Sequence, residues 1–195
     1  MSTIEIRFAG FGGQGIVFAS IVLARAASIY ESRSVSQKDS KLEKKRDNIF
    51  AIQTQIYGPE ARGGASRAEV MISENNIAFP HISGPDILVI MSEQAFEKYA
   101  DGVKETTITL LDPTTVKSRP KNKFYEIPAT KIADELGNKV VSNVVMLGAL
   151  CAITGVVSKE SLKKALIDKI HEKTKTINLN AFKKGFDLGK KLKKG

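Results

Sequence analysis

Three glycines in a G-x-G-x-x-G arrangement are the residues of this chain best suited to binding a phosphate group. Gly10, Gly12 and Gly15 follow a segment of alternating apolar residues and precede an apolar segment with helical spacing. Glycine at these positions permits a tight turn and lets main-chain amides approach an anion, with the positive end of a helix dipole behind them. We therefore predict an anion-binding loop that contains Gly10, Gly12, Gly13, Gln14 and Gly15.

A second glycine-rich segment, residues 57–67, reads Tyr-Gly-Pro-Glu-Ala-Arg-Gly-Gly-Ala-Ser-Arg and is predicted to be a loop. Its Arg62, Gly63, Gly64 and Ser66 offer a guanidinium group, amides and a hydroxyl group that could converge on a phosphate or a carboxylate. The alternative is a hairpin or crossover loop whose arginines contact a neighbouring subunit. We expect both segments at the carboxyl ends of adjacent strands, where ligands and partners dock in open α/β sheets.

The residue that would complete a dinucleotide site is missing from its usual place. Such a site has an acidic residue at the end of the second strand, about 20 residues beyond the glycines, to bind the ribose. The second predicted strand here ends in Gln53, Thr54 and Gln55, and Glu31 stands ahead of a polar insertion rather than at a strand end. A P-loop is excluded as well, because its Gly-Lys-Ser/Thr ending is absent.

The sequence shows no set of residues with the spacing of a metal site or of an acid–base pair. His81 and His171 are far apart and are predicted to be surface residues, and no His/Cys cluster has metal-site spacing. Cys151 is the single cysteine, whereas an iron–sulfur cluster in one chain needs four, and its apolar surroundings predict a buried thiol. We predict no catalytic residue, no metal site and no cofactor bound by this chain.

The elements that would position these loops alternate between strands and helices. This pattern predicts an α/β fold: a Rossmann-like, open, mostly parallel sheet with helices on both faces, in a single domain of residues 1–195. Residues 31–48 are polar and are predicted to be a surface insertion. The predicted strands after the first are residues 49–55, 68–72, 86–91, 106–111 and 124–127.

The net charge of +9 is concentrated at one end of the sequence. Residues 156–195 carry twelve lysines against four acidic residues, and residues 179–195 are predicted to be a lysine-rich C-terminal helix. This segment has no arginine, and Phe182 and Phe186 lie on one helical face, so we predict solvated lysines opposite a packed aromatic stripe and no nucleic-acid binding. Docking to an acidic partner is the alternative.

An uncharged segment, residues 140–157, raises the question of membrane insertion. Ser142 or Asn143 would cap a helix that Gly155 ends, which leaves about 12 residues, too few to cross a bilayer. We expect a helix from Asn143 to Ile153 that mediates oligomerisation, with a central position in the fold as the alternative. No secretory leader is recognised, so no membrane association is predicted and we expect a cytoplasmic location.

Four segments of the chain together resemble the gamma subunit of the 2-oxoacid:ferredoxin (acceptor) oxidoreductases. They are residues 7–15 (RFAGFGGQG), residues 53–70 (QTQIYGPEARGGASRAEV), residues 85–92 (PDILVIMS) and residues 142–150 (SNVVMLGAL). The Tyr-Gly-Pro-Glu-Ala-Arg-Gly-Gly sequence is the most specific of these, and its form is most like that of 2-oxoglutarate-type enzymes. Pyruvate and branched-chain 2-oxoacids are the alternative substrates.

The resemblance implies a subunit that is inactive alone, in a cytoplasmic hetero-oligomeric complex that converts a 2-oxoacid and coenzyme A to an acyl-CoA and carbon dioxide. The expected partners are alpha, beta and ferredoxin-like subunits, with ferredoxin or flavodoxin as the electron acceptor. Thiamine diphosphate, magnesium and iron–sulfur clusters would belong to the other subunits. The two glycine-rich segments would face either the coenzyme A phosphates or the catalytic subunits. The alternative is a stand-alone Rossmann-type dinucleotide-binding oxidoreductase.

Overall fold

The structure is a computed structural model, and it describes residues 3–31, 49–56 and 64–194. Six strands form one sheet in the order β2-β3-β1-β4-β5-β6. β1 pairs in parallel with β4, β4 with β5, and β5 with β6, as the alternation of strands and helices predicts. The strands are β1 (Ile4–Phe11), β2 (Phe50–Ile56), β3 (Ala65–Ser73), β4 (Ile87–Ile90), β5 (Ile108–Leu111) and β6 (Phe124–Glu126).

One strand departs from the parallel arrangement. β3 runs antiparallel to both β1 and β2, so β2 and β3 form a hairpin beside β1. β3 also begins at Ala65, three residues earlier than the predicted start. Ser66 and Arg67 therefore lie in a strand and not in the loop where the sequence prediction placed them.

Helices cover both faces of the sheet. The larger apolar cluster takes Ile6 and Phe8 from β1, whereas the smaller one takes Ala9 from the same strand, because successive side chains of a strand point to opposite faces. The helices are α1 (Ile16–Arg25, continued by a π-helical segment, Ala26–Glu31), α2 (Glu93–Tyr99), α3 (Ala129–Glu135), α4 (Ser142–Thr154), α5 (Lys159–Ile167) and α6 (Lys175–Leu192). The smaller cluster lies under α2, whose first turn is capped by Ser92 Oγ, and this confirms the predicted architecture.

The uncharged helix α4 is buried within the chain, so an interface through it is not supported. Eleven of its thirteen residues are buried, from Ser142 to Cys151 and at Ile153, and α6 packs along it. The predicted side-chain cap at Ser142 or Asn143 is wrong, because both residues lie inside the helix. Gly155 ends the helix in the left-handed conformation, with φ 66°, as predicted.

Glycines allow α4 and α6 to approach each other at backbone distance. A Cβ atom added to Gly185 of α6 would lie 1.9 Å from Val145 O of α4, and one on Gly189 would lie 2.7 Å from Ala149 O. From the α4 side, a Cβ on Gly148 would lie 2.3 Å from Phe182 O. The basic α6 can therefore bury an uncharged helix, because its small residues and Phe182 face inward while its lysines face solvent.

Several other predictions can be located in the structure. Cys151 is buried and His81 and His171 are exposed, as expected. Of the predicted polar insertion, residues 32–48 lie outside the described residues, whereas Glu31 ends the π-helical segment and its carboxylate accepts a hydrogen bond from Ser158 N. Across residues 3–31, 49–56 and 64–194, no helix has both the length and the apolar character needed to cross a membrane.

Candidate functional site

The glycine-rich loop joins the carboxyl end of β1 to the amino end of α1. Gly13 and Gly15 have φ angles of 99° and 73°, which side chains rarely adopt, so these two positions require glycine. Gly15 is also the residue before α1, and neither a capping side chain nor an acidic residue occupies the first turn of this helix. The positive end of the α1 dipole therefore faces the loop without an internal countercharge.

Gln14 secures the loop from inside. Its Oε1 accepts a hydrogen bond from Phe11 N at 2.9 Å, and its Nε2 donates to the carbonyl oxygen of Met91, just beyond β4. A Cβ on Gly10 would lie 2.5 Å from Gln14 Oε1, so glycine at position 10 leaves room for this side chain. Gln14, predicted as a ligand-binding residue, thus ties the two central strands together.

The outer part of the loop is open. A Cβ on Gly12 or on Gly13 would meet no atom of the described residues within 4 Å. Phe11, immediately before them, is 42% exposed. The described residues therefore leave the main chain at Gly12 and Gly13 uncovered, and the predicted contact with a ligand or a partner chain stays a prediction.

Asn143 contacts this loop, although the sequence predicted it only as a helix cap or as the first residue of an oligomerisation helix. From the first turn of α4, its Nδ2 donates to Gly15 O at 3.1 Å. A Cβ on Gly15 would lie 2.1 Å from that nitrogen, so the amide group lies directly against the loop. Asn143 Oδ1 is buried, with no hydrogen-bond partner among the described residues. The signal in the sequence was a polar amide at the start of an otherwise apolar helix.

The second predicted binding segment lies beside the first. Gly10 pairs with Ser66 and Phe11 with Ala65 across β1 and β3, and Ser66 Oγ donates to Gly10 O at 3.3 Å. The carboxyl ends of β1 and β2 lie at this edge, as expected, but these strands are not adjacent, because the antiparallel β3 lies between them and contributes its amino end. Gly64 is half-buried at the same edge. Arg62 and Gly63 lie outside the described residues.

A buried charge cluster extends from this edge along the α2 face of the sheet. Glu69 Oε1 lies 2.8 Å from Arg7 Nε and 3.7 Å from Arg67 Nε, so one carboxylate lies between two guanidinium groups. Arg7 also donates to Ile82 O at 2.8 Å, and Arg67 lies over the ring of Tyr99 at 5.7 Å. Arg67 Nε is buried and has no hydrogen-bond partner among the described residues.

The excess positive charge of this cluster adjoins the glycine-rich loop. Arg67 pairs with Ala9 across the sheet, one residue along β1 from Gly10. An anion at this edge would therefore meet the amides of the loop, the dipole of α1 and the electrostatic field of Arg67 together. Among the described residues of this edge, no pair of groups is placed for proton transfer or nucleophilic attack, and anion binding stays a prediction.

The described residues offer neither a reactive thiol nor a group of metal ligands. Burial raises the pKa of Cys151 to about 12, so its thiol is protonated and is a poor nucleophile or metal ligand. Its Sγ instead contacts Val157 O at 3.4 Å. In the part of the chain that the structure describes, no three His, Cys, Asp or Glu side chains are grouped to hold a metal ion.

Comparisons with known proteins identify the relatives of this chain. A family model described as pyruvate ferredoxin/flavodoxin oxidoreductase matches residues 45–188. The 2-oxoglutarate synthase subunit KorC of Methanocaldococcus jannaschii is 46% identical over 193 residues, which cover 96% of this chain and 95% of the relative. KorC of Archaeoglobus fulgidus is 34% identical over 98% of this chain and 90% of its own length.

Two solved structures have the same fold: in one it forms a separate subunit, and in the other it forms part of a longer chain. The keto/oxoacid ferredoxin oxidoreductase gamma subunit of Geobacter sulfurreducens has a TM-score of 0.81 and 34% identity, with 97% of each chain covered. The 2-oxoglutarate:ferredoxin oxidoreductase of Magnetococcus marinus, determined with 2-oxoglutarate, coenzyme A and succinyl-CoA bound, has a TM-score of 0.78 and 25% identity. The match covers 100% of this chain but 31% of that one.

Proposed function

Because this chain belongs to the pyruvate ferredoxin/flavodoxin oxidoreductase family, we propose that it is the gamma subunit of a 2-oxoglutarate:ferredoxin oxidoreductase. The observation that carries this proposal is the near full-length similarity to KorC subunits, at 46% identity, together with the fold of a separate gamma subunit. The complex would convert 2-oxoglutarate and coenzyme A to succinyl-CoA and carbon dioxide, and would pass the electrons to ferredoxin. Alpha, beta and ferredoxin-like subunits are the proposed partners.

The redox chemistry in this proposal belongs to the partner subunits. The sequence has one cysteine, and its thiol is buried and held protonated, so this chain's residues do not fit an iron–sulfur cluster. The proposal therefore assigns iron–sulfur clusters, thiamine diphosphate and magnesium to the other subunits. The contribution of this chain is binding and positioning.

The proposed binding surface is the edge formed by the glycine-rich loop, Ser66 and Asn143. Open main chain at Gly12 and Gly13 and the uncapped α1 suit a phosphate group, and Arg67 adds positive charge beside them. The unpaired Asn143 Oδ1 can accept a hydrogen bond from an amide or a hydroxyl group. Coenzyme A carries phosphates, amides and hydroxyls in one molecule, so we assign this edge to coenzyme A in the assembled complex.

The assignment to a complex is tested by purification and reconstitution. The tagged chain, purified from its native host, should bring three other chains with it, and the assembled complex should reduce a viologen dye with 2-oxoglutarate and coenzyme A. Pyruvate and 3-methyl-2-oxobutanoate serve as comparison substrates. Turnover by the purified chain alone would overturn the subunit assignment, and a higher kcat/KM with either comparison substrate would overturn the choice of 2-oxoglutarate.

The assignment of the edge is tested in the assembled complex with Asn143→Asp. A carboxylate at position 143 would repel phosphate groups and would lose the hydrogen bond to Gly15 O, so the KM for coenzyme A should rise at least about tenfold, or about 1.4 kcal/mol, with little change in the KM for 2-oxoglutarate. Asn180→Asp is the matched control, because Asn180 is exposed on α6. Arg62→Ala should act in the same direction. Weaker assembly by either variant, with an unchanged KM for coenzyme A in the complex that still forms, would assign the edge to a subunit interface instead.

A further inference from the structure

A cavity of about 680 Å³ lies between the end of α2 and the segment that precedes β6. Its two walls are residues 100–105, which lead into β5, and residues 119–123, which lead into β6. The cavity is therefore at the amino ends of these strands, whereas the glycine-rich loop follows the carboxyl end of β1, in the same parallel set. Pockets of about 300–1,000 Å³ bind small organic molecules, so this cavity suits a ligand larger than an inorganic ion.

The wall of residues 119–123 contains an arginine that is fixed on one side and open on the other. Arg119 donates through Nη1 to the carbonyl oxygens of residues 116–118, and its Nε forms an ion pair with Glu126. Its Nη2 has no hydrogen-bond partner among the described residues. A guanidinium group held in this way, with donors left over, is suited to a phosphate or a carboxylate.

Two lysines add positive charge to the same wall. Lys121 is exposed and forms no ion pair with the described residues, and Lys123 lies over the ring of Tyr125 at 5.5 Å. Asn122, between them, donates to Thr109 Oγ1 at 3.0 Å and so holds the segment against β5. The basic wall is thus already fixed to the sheet, which lowers the entropy lost when an anion binds.

The opposite wall carries hydrogen-bond acceptors. Asp101 and Glu105 are exposed there, and within the described part of the chain neither forms an ion pair. Lys104, which lies near them in the sequence, binds Asp86 at 3.0 Å instead, so its charge is offset elsewhere. The half-buried Phe96 adds an aromatic ring to the lining. The cavity therefore combines cationic donors, carboxylate acceptors and an aromatic surface.

We propose that this cavity binds a nucleoside phosphate. The phosphate group would bind Arg119 and Lys121, hydroxyl or amine groups of the nucleoside would donate to Asp101 and Glu105, and the base would stack on Phe96. A free phosphate would leave the carboxylates and the ring unused, and a nucleoside would leave the cations unused. This chain alone forms the cavity, so the inference does not depend on the proposed function.

Calorimetric titration of the full-length chain with AMP tests the proposal. AMP should bind, and adenosine and inorganic phosphate should each bind at least about tenfold more weakly, because each lacks part of the contacts. Lys121→Glu should weaken AMP binding at least about tenfold by repelling the phosphate, with an unchanged melting temperature because Lys121 is exposed. Lys183→Glu, at an exposed lysine of α6, is the matched control and should bind AMP normally.

Four results would overturn the proposal. The first is that AMP does not bind, and the second is that inorganic phosphate binds as tightly as AMP. The third is an equal loss of affinity in Lys121→Glu and Lys183→Glu, which would show attraction to net charge alone. The fourth is binding that Gly12→Ala abolishes and Lys121→Glu retains, which would assign AMP to the glycine-rich loop. None of these measurements uses turnover, so their failure would leave the subunit assignment to its own tests.

Discussion

Glycine serves opposite purposes in the loop after β1 and in the contact between α4 and α6. In the helix contact, added Cβ atoms on Gly148, Gly185 and Gly189 would all lie within 3 Å of main-chain atoms of the other helix. In the loop, an added Cβ atom on Gly12 or Gly13 would meet no atom of the described residues within 4 Å. The helix glycines are therefore needed for packing within the chain. The loop glycines leave the main chain accessible from outside.

The two sets of glycines therefore serve different ends: those of the helix contact serve stability, and those of the loop are proposed to serve function. The loop glycines and Gly148 interrupt apolar segments, and Gly185 and Gly189 lie in a lysine-rich helix. Neither spacing alone shows whether the missing side chain leaves room for the protein itself or for another molecule. The structure resolves the two cases by what a methyl group would meet. Substitutions in the helix contact should lower the free energy of unfolding, whereas substitutions in the outer loop should change the KM for coenzyme A. Four predictions, ordered by their effect on stability, test this difference.

Gly185→Ala should have the largest effect. The added methyl group would lie 1.9 Å from Val145 O, and main-chain atoms of a packed helix cannot move aside cheaply. Alanine gains about 1 kcal/mol over glycine in a helix, but separating α4 from α6 should cost about 3 kcal/mol or more. Chemical denaturation should show the net loss. A variant as stable as the unmodified chain would contradict the close packing of these helices.

Gly15→Ala should have the second-largest effect on stability, because it combines backbone strain with a steric clash. The φ angle of 73° costs an alanine roughly 1–2 kcal/mol, and its methyl group would displace the Asn143 side chain. Gly155→Ala is the matched control, since it has a φ of 66° and open space around the new methyl group. Thermal denaturation should therefore show a greater loss for Gly15→Ala. Equal losses would show that Asn143 does not restrain the loop.

The regular patterns of the sequence were enough to predict much of the fold. The alternation in Ile4–Phe11, the glycine spacing and the inward stripe of Phe182 and Phe186 all follow from local periodicity. The direction of β3 was not predictable, because the apolar pattern of a nine-residue strand is alike in either direction. The burial of α4 within the chain was only the alternative prediction, because α6, which covers it, is lysine-rich and its glycines give no apolar signal.

The functional edge was only partly predictable for a related reason. The loop glycines and Ser66 are near each other in space, as expected, because strand pairing brings Gly10 beside Ser66. Asn143 lies 128 residues beyond Gly15, and only the packing of α4 against α1 brings its amide to the loop. The internal role of Gln14 likewise depends on a carbonyl group at the end of another strand.

The pH dependence of stability should show whether the thiol of Cys151, on α4, is shielded from water in the folded chain. Its folded pKa of about 12 exceeds the ordinary value of 9.0, so the folded state holds the proton more tightly. The resulting stabilisation is complete below pH 9 and is lost as the pH rises from 9 towards 12. Between pH 8 and 10 the free energy of unfolding should fall by about 1 kcal/mol through this group. Cys151→Ala should remove that part of the slope in urea titrations. The same slope in both proteins would mean that the thiol is accessible to water.

Gly12→Ala should have the smallest effect on stability and yet change function. The φ angle of Gly12 is not positive and its added methyl group would touch nothing among the described residues, so the free energy of unfolding should change by less than about 0.5 kcal/mol. In the assembled complex the methyl group would occupy the space through which a phosphate approaches the main chain. The KM for coenzyme A should then rise while the melting temperature stays constant. A lower melting temperature would show that Gly12 is needed for folding, as Gly185 is. An unchanged KM would mean that coenzyme A does not approach the loop at Gly12.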